Sequence, residues 1–224
     1  MCPGEDQIVP DERGSRRSRR SIARSRPVVG VMGSGSARHA HLAEPLGRAL
    51  ARIGVHLLTG GGVGVMESVS QAFSAVPDRE GLVVGILPAG DARPDQADAD
   101  PGTPPGYPNP WVELAIRTHL DARGDDGSGI RSRNHINILS SDVVIAMPGS
   151  SGTASEVELA IRYRRPLILL GDTARAANLP ASVPTTESVD EAVEFVLRAV
   201  QMASGCDEND ADPARQRARE PLGG

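Results

Sequence analysis

Three short turns in this 224-residue chain carry residue types that could do chemistry. They read GSGS at 33–36, TGGGVG at 59–64 and GSSGT at 149–153, and each follows an apolar run and precedes a helical pattern. Small residues leave the backbone exposed, and glycine lets it approach a ligand closely. The helix that follows offers unpaired N–H groups at its positive dipole end, where a phosphate is a natural guest. Three such turns on alternate strands of one sheet point to a nucleotide-like ligand at the carboxyl ends of the strands. Tight strand–helix connections with no ligand are the plainer alternative.

Particular side chains leave two readings open. Ser34 could bond a phosphate or cap the next helix. Glu156 could serve a ligand, pointing away from any bound phosphate. Equally, Thr153-x-x-Glu156 fits a capping box, in which the glutamate reaches back to the N-cap N–H. Asn134 and Asn137 share a predicted helical face with Ile130 and Ile138, and polar groups on an apolar stripe must find partners. A ligand is one such partner for Asn134. The five histidines, His39, His41, His56, His119 and His135, have no metal-ligand spacing and read as surface or satisfied core residues.

These positions need a frame. Apolar runs at 27–32, 55–59, 82–87, 142–147 and 166–171 read as strands, with a further one at 111–116. Helical stretches are expected at 39–53, 65–75, 129–139, from 153 and at 187–202. That alternation predicts an α/β fold: a doubly wound, Rossmann-like parallel sheet in a single domain over 27–203. Residues 88–110 are too rich in Pro, Asp and Gly for regular structure, and a loop that long is usually functional or mobile. Residues 1–26, rich in arginine, and 204–224 read as disordered.

Composition excludes several chemistries. The 24 basic residues are all arginines, so neither a Schiff base to pyridoxal phosphate nor a lysine-bearing P-loop is available. In "GVMGSG" (30–35) the full dinucleotide fingerprint is missing, and no acid closes the second strand to hold a ribose, which disfavours NAD. Cys2 and Cys206 lie in polar surroundings outside any metal-like cluster. Fourteen arginines against twenty carboxylates leave 27–203 at −6, while residues 1–26 stand at +3. A core of that charge suits a small ligand better than nucleic acid. The apolar runs are too short to span a bilayer, and a cytoplasmic protein is expected.

The segments "GVMGS" (30–34), "TGGGVGVME" (59–67) and "RSRNHINILSSDVVIAMPGSSGTASE" (131–156) resemble the LONELY GUY-like (SLOG) superfamily of Rossmann-type proteins. Its members include nucleoside 5′-monophosphate phosphoribohydrolases, molybdenum-cofactor carriers and, more distantly, the DNA-processing protein DprA. The resemblance implies that Gly33, Ser34, Gly149, Ser150, Ser151, Gly152 and Thr153 form the phosphate seat, bordered by Gly60, Gly61, Gly62 and Met66. It implies that Arg133 contacts the ligand and assists N-glycosidic cleavage, with Glu156 at the ribose. The alternative for Arg133 is an exposed helix arginine in a weak surface pair. No cofactor is required; a nucleotide or molybdenum cofactor would be the ligand, and a homodimer or larger homo-oligomer is implied. The chain departs from typical hydrolases at Asn134, where they carry lysine, and at Ser150 and Ser155, where they carry glycine and an acid. Those departures resemble the cofactor-carrier branch, so a non-catalytic carrier or sensor stands beside the hydrolase.

Overall fold

The computed structural model describes residues 26–90, 102–122, 124–172 and 182–210. Residues 1–25 of the arm expected over 1–26, residues 91–101 of the long loop and residues 211–224 of the tail expected over 204–224 lie outside the described residues.

A strand buried on both faces reads as a continuous apolar run, because helices cover a parallel sheet from either side. β1 (Val28–Met32), β2 (His56–Thr59), β3 (Val83–Leu87), β5 (Val143–Ala146) and β6 (Leu167–Leu170) are of this kind. With β4 (Leu114–Arg117) and β7 (Thr185–Thr186) they form one parallel sheet in the order β4-β3-β2-β1-β5-β6-β7. The chain winds outward from β1 to β4, then returns to lay β5 against the other side of β1. That reversal opens a crevice between β1 and β5, outside their carboxyl ends.

Alternation within each strand divides the core in two. Val29, Val31, Val143 and Ile145 face the layer of α1 (Ala40–Arg52), α2 (Val65–Ser74) and α5 (Val189–Asp210), where Leu46, Leu50, Phe73 and Val196 are buried. Met32, Val144 and Ala146 face α3 (Asn134–Leu139) and α4 (Ser151–Arg162), packing with Ile138, Val157 and Leu159. The result is a doubly wound α/β sandwich, as the sequence predicts. Among the described residues no helix is long and apolar enough to cross a membrane.

Several elements differ from expectation. The strand expected at 111–116 begins only at Leu114, because Trp111 N and Val112 N turn back to Asn109, on Oδ1 (3.1 Å) and O (3.2 Å). The helix expected at 129–139 starts at Asn134, leaving Ile130 93% exposed and off the face it was expected to share. α4 starts at Ser151 rather than 153, the two-residue β7 was not foreseen, and α5 passes residue 202 because Gly205 alone does not stop a helix. The three Gly-rich turns follow β1, β2 and β5, which are neighbours in the sheet rather than alternate strands.

Candidate ligand-binding site

Ser34 is the joint between the three turns. Its backbone N–H donates to Pro148 O (3.0 Å), and its carbonyl accepts from Val65 N (2.9 Å), at the start of α2. Just before them, Met147 N donates to Met32 O (2.8 Å). The Ser34 hydroxyl accepts from Ala37 N (2.9 Å) and Ser36 N (3.2 Å), closing its own turn. It does not cap α1, whose N-cap is His39 in a left-handed conformation.

Beside this joint lies a cleft of ≈ 1120 Å³ at the reversal between β1 and β5, extending toward β6 and β7. Ser34, Gly149, Ser150, Ser151 and Thr153 line its α4 end. Leu42, Met147, Val157 and Leu169 supply apolar wall, and His39, His41, Asp172 and Glu187 supply the remaining polar lining. Among the described residues no arginine lines it.

The α4 end can receive an anion. Ser150 is the N-cap and makes no side-chain cap bond, and the ladder opens with Ala154 N donating to Ser150 O (3.0 Å). The N–H groups of Ser151, Gly152 and Thr153 therefore belong to the orphan first turn. Thr153 is only 8% exposed, yet its hydroxyl makes no hydrogen bond among the described residues. Gly149 is needed for close approach: a Cβ there would collide with the Thr153 side chain and stand 3.1 Å from Ser34 N.

The capping-box reading of Thr153 and Glu156 fails. Thr153 lies inside α4, three residues past the N-cap, and the Glu156 carboxyl points toward α3. There Glu156 Oε1 accepts from Asn137 Nδ2 at 3.1 Å, across the α3–α4 contact. Burial raises the Glu156 pKa above 4.5, against the opposing pull of the Arg133 guanidinium and the Asn137 hydrogen bond.

Arg133 is 6% exposed, so it is no surface-pair arginine. Its guanidinium lies against Gly60, where a Cβ would stand 2.7 Å from both Nη atoms, and 5.9 Å from the centroid of the Tyr107 ring. Gly62 is closely bordered by Tyr107 (2.8 Å from a Cβ) and by Met66 Cε (2.9 Å). Arg133 Nε and Nη1 and Asn137 Oδ1 are buried with no hydrogen-bond partner.

The residues singled out from sequence thus fall into two groups, those that line the cleft and those that do not. Gly149, Ser150, Ser151, Thr153 and Ser34 line the cleft, with Gly33 and Gly152 in the same turns. Gly60, Gly62, Met66 and Arg133 meet at the second turn and do not line the cleft, with Gly61 in the same turn, and Asn137 brings in Glu156. Asn134 is buried near Gly127, whose Cβ would stand 2.9 Å from Asn134 Nδ2.

Sequence reasoning missed Tyr107 and Asn109. Asn109 N donates to Gly61 O (2.7 Å) and Asn109 Nδ2 to Gly62 O (2.8 Å), fixing the second turn from outside. Their signal was an aromatic within "GYPNPW" in a chain only 2% aromatic. His135 is satisfied by Tyr163 Oη (2.7 Å) and Gly129 O (3.0 Å). Among the described residues no cluster of three His, Cys, Asp or Glu could hold a metal.

Known proteins share this arrangement of strands and helices. The molybdenum cofactor binding protein from the phototrophic bacterium Rippkaea orientalis is 34% identical, covering 80% of this chain and 99% of its own, with a TM-score of 0.62. The molybdenum cofactor carrier protein from Chlamydomonas reinhardtii is 30% identical, covering 79% and 99%, with a TM-score of 0.60. DNA processing protein A from Helicobacter pylori shares the fold at 19% identity, covering 77% of this chain and 80% of its own, with a TM-score of 0.53. A family model matches residues 26–200, and the chain belongs to the family it describes, the SLOG cluster4 family.

Proposed function

We propose that this chain binds a phosphorylated heterocycle of the molybdenum-cofactor type and holds it rather than cleaving it. One observation carries the reading: the cleft contains the orphan N–H groups of α4 and the unpaired Thr153 hydroxyl, but neither Arg133 nor Glu156. A phosphate seated there accepts from the Ser151, Gly152 and Thr153 amides and the Thr153 hydroxyl, aided by the helix dipole. The apolar wall of Leu42, Met147, Val157 and Leu169 takes the ring system. Two relatives that cover 99% of their own lengths, at 34% and 30% identity, are named for molybdenum cofactor binding and carriage, which supports the same class of ligand.

Hydrolysis of a nucleoside 5′-monophosphate is the second reading, favoured by the buried Arg133 beside Glu156. Neither Arg133 nor Glu156 lines the cleft, which is why binding is preferred.

The test is anaerobic purification, followed by molybdenum quantification and fluorescence of the oxidised pterin released from the protein. Stoichiometric molybdenum and pterin, lost in Thr153→Val, are expected. Release of free base from nucleoside monophosphates, abolished by Glu156→Gln, would instead establish the hydrolase.

A further inference from the structure

The cleft is chemically polarised, and its far end has acceptors where its near end has donors. The α4 end offers backbone N–H groups and the hydroxyl of Thr153, a residue 8% exposed that makes no side-chain hydrogen bond among the described residues. Among the described residues, the polar groups lining the β6 and β7 end are Asp172 and Glu187. Asp172 is already engaged within the fold, whereas exposed Glu187 makes no hydrogen bond or ion pair among the described residues. Ionised carboxylates only accept hydrogen bonds, and they accept best from two parallel N–H groups.

The spacing suits a two-ended ligand. α4 follows β5, Glu187 directly follows β7, and β6 lies between those strands. Neighbouring strands are about 4.8 Å apart, so the two ends of the cleft stand about 10 Å apart along the sheet. That distance fits a phosphate on a short linker to a bicyclic heterocycle, with the ring against the apolar wall between them.

We propose that Glu187 reads the outer edge of the bound heterocycle and selects an aminopyrimidinone ring, as in pterins and guanine, over an adenine ring. An aminopyrimidinone presents a ring N–H beside an exocyclic amino group, two adjacent donors for one carboxylate. Adenine presents a donor beside a ring-nitrogen lone pair, which a carboxylate repels. The inference rests on the proposed binding function and adds the chemical identity of the ring.

The experiment titrates the full chain with GMP, a pterin monophosphate, AMP and inorganic phosphate. GMP and the pterin monophosphate should bind more tightly than AMP. Glu187→Gln should weaken those two by about tenfold or more, tighten AMP by relieving the repulsion, and leave inorganic phosphate unchanged. Thr153→Val should weaken all the phosphorylated probes together. Unaltered GMP and pterin affinity in Glu187→Gln, alongside weakening in Thr153→Val, overturns the role of Glu187 and leaves the binding function standing. Absence of binding by every probe overturns both. Equal losses for all four probes in Glu187→Gln also overturn the role, since they reveal a general disturbance of the cleft.

Discussion

Asn137 donates its side-chain N–H to Glu156 Oε1 at 3.1 Å, tying the middle of α3 to the middle of α4. The bond answers one oxygen of a carboxyl group buried beside Arg133, whose own Nε and Nη1 remain unpaired. This is a polar knot inside the α3–α4 layer, and its ionisation is coupled to folding.

Glu156 should make the protein less stable as pH rises. The unfolded chain ionises it near 4.5, while burial raises its pKa in the fold despite Arg133 and Asn137. Stability from this group is full below 4.5 and declines as pH climbs through the window up to the raised folded value. Glu156→Gln should flatten that decline in urea unfolding measured across the window. With Arg133→Met the two substitutions should be non-additive, with a coupling of roughly 0.5–3 kcal/mol. An unchanged pH profile in Glu156→Gln would show that the carboxyl does not titrate with folding.

His56 should act on the acid side with the opposite sign. Its pKa lies below 6.5, chiefly because burial disfavours the charged ring and further because Arg26 is near. Its Nδ1 accepts from Leu82 N at 3.0 Å, which requires that nitrogen to be unprotonated. Stability is therefore full above 6.5 and is lost as pH falls toward the lower folded value. His56→Leu should remove this acid-side slope, at a uniform cost of about 0.5–1 kcal/mol for the lost bond. Thermal unfolding across that range is the measurement.

Two glycines three residues apart should respond oppositely to alanine. At Gly149 the new methyl meets the Thr153 side chain and Ser34 N, so Gly149→Ala should cost about 1–3 kcal/mol by overpacking and weaken phosphate binding. Gly152 lies in α4 with open space around its Cβ position. Gly152→Ala should stabilise the helix by about 0.5–1 kcal/mol. Denaturation midpoints with and without inorganic phosphate separate the two cases, and equal effects would contradict the packing described at Gly149.

The buried strands were legible because helices cover both faces of a parallel sheet, which forces continuous runs such as "VVGVM" and "DVVIAM". The α4 turn was legible because proline, glycine and hydroxyl residues cluster where a strand meets a helix. The N-cap was not, since Ser150, Ser151 and Thr153 are all competent caps and a local signature cannot rank them. What decided Glu156 was Asn137, nineteen residues earlier. Asn109 escaped for a similar reason. It reaches 47 residues back to Gly62, from a segment with no periodicity to mark it.

Ser34 carries a consequence beyond its own turn. With its amide bound to Pro148 and its carbonyl bound to Val65, the ends of β1 and β5 and the start of α2 share one unbroken backbone chain. A guest arriving at α4 therefore meets a rim already set, and little ordering entropy remains to be lost on binding. The same two hydrogen bonds join the Pro148 corner to the start of α2, which directly follows the glycine turn beside Arg133.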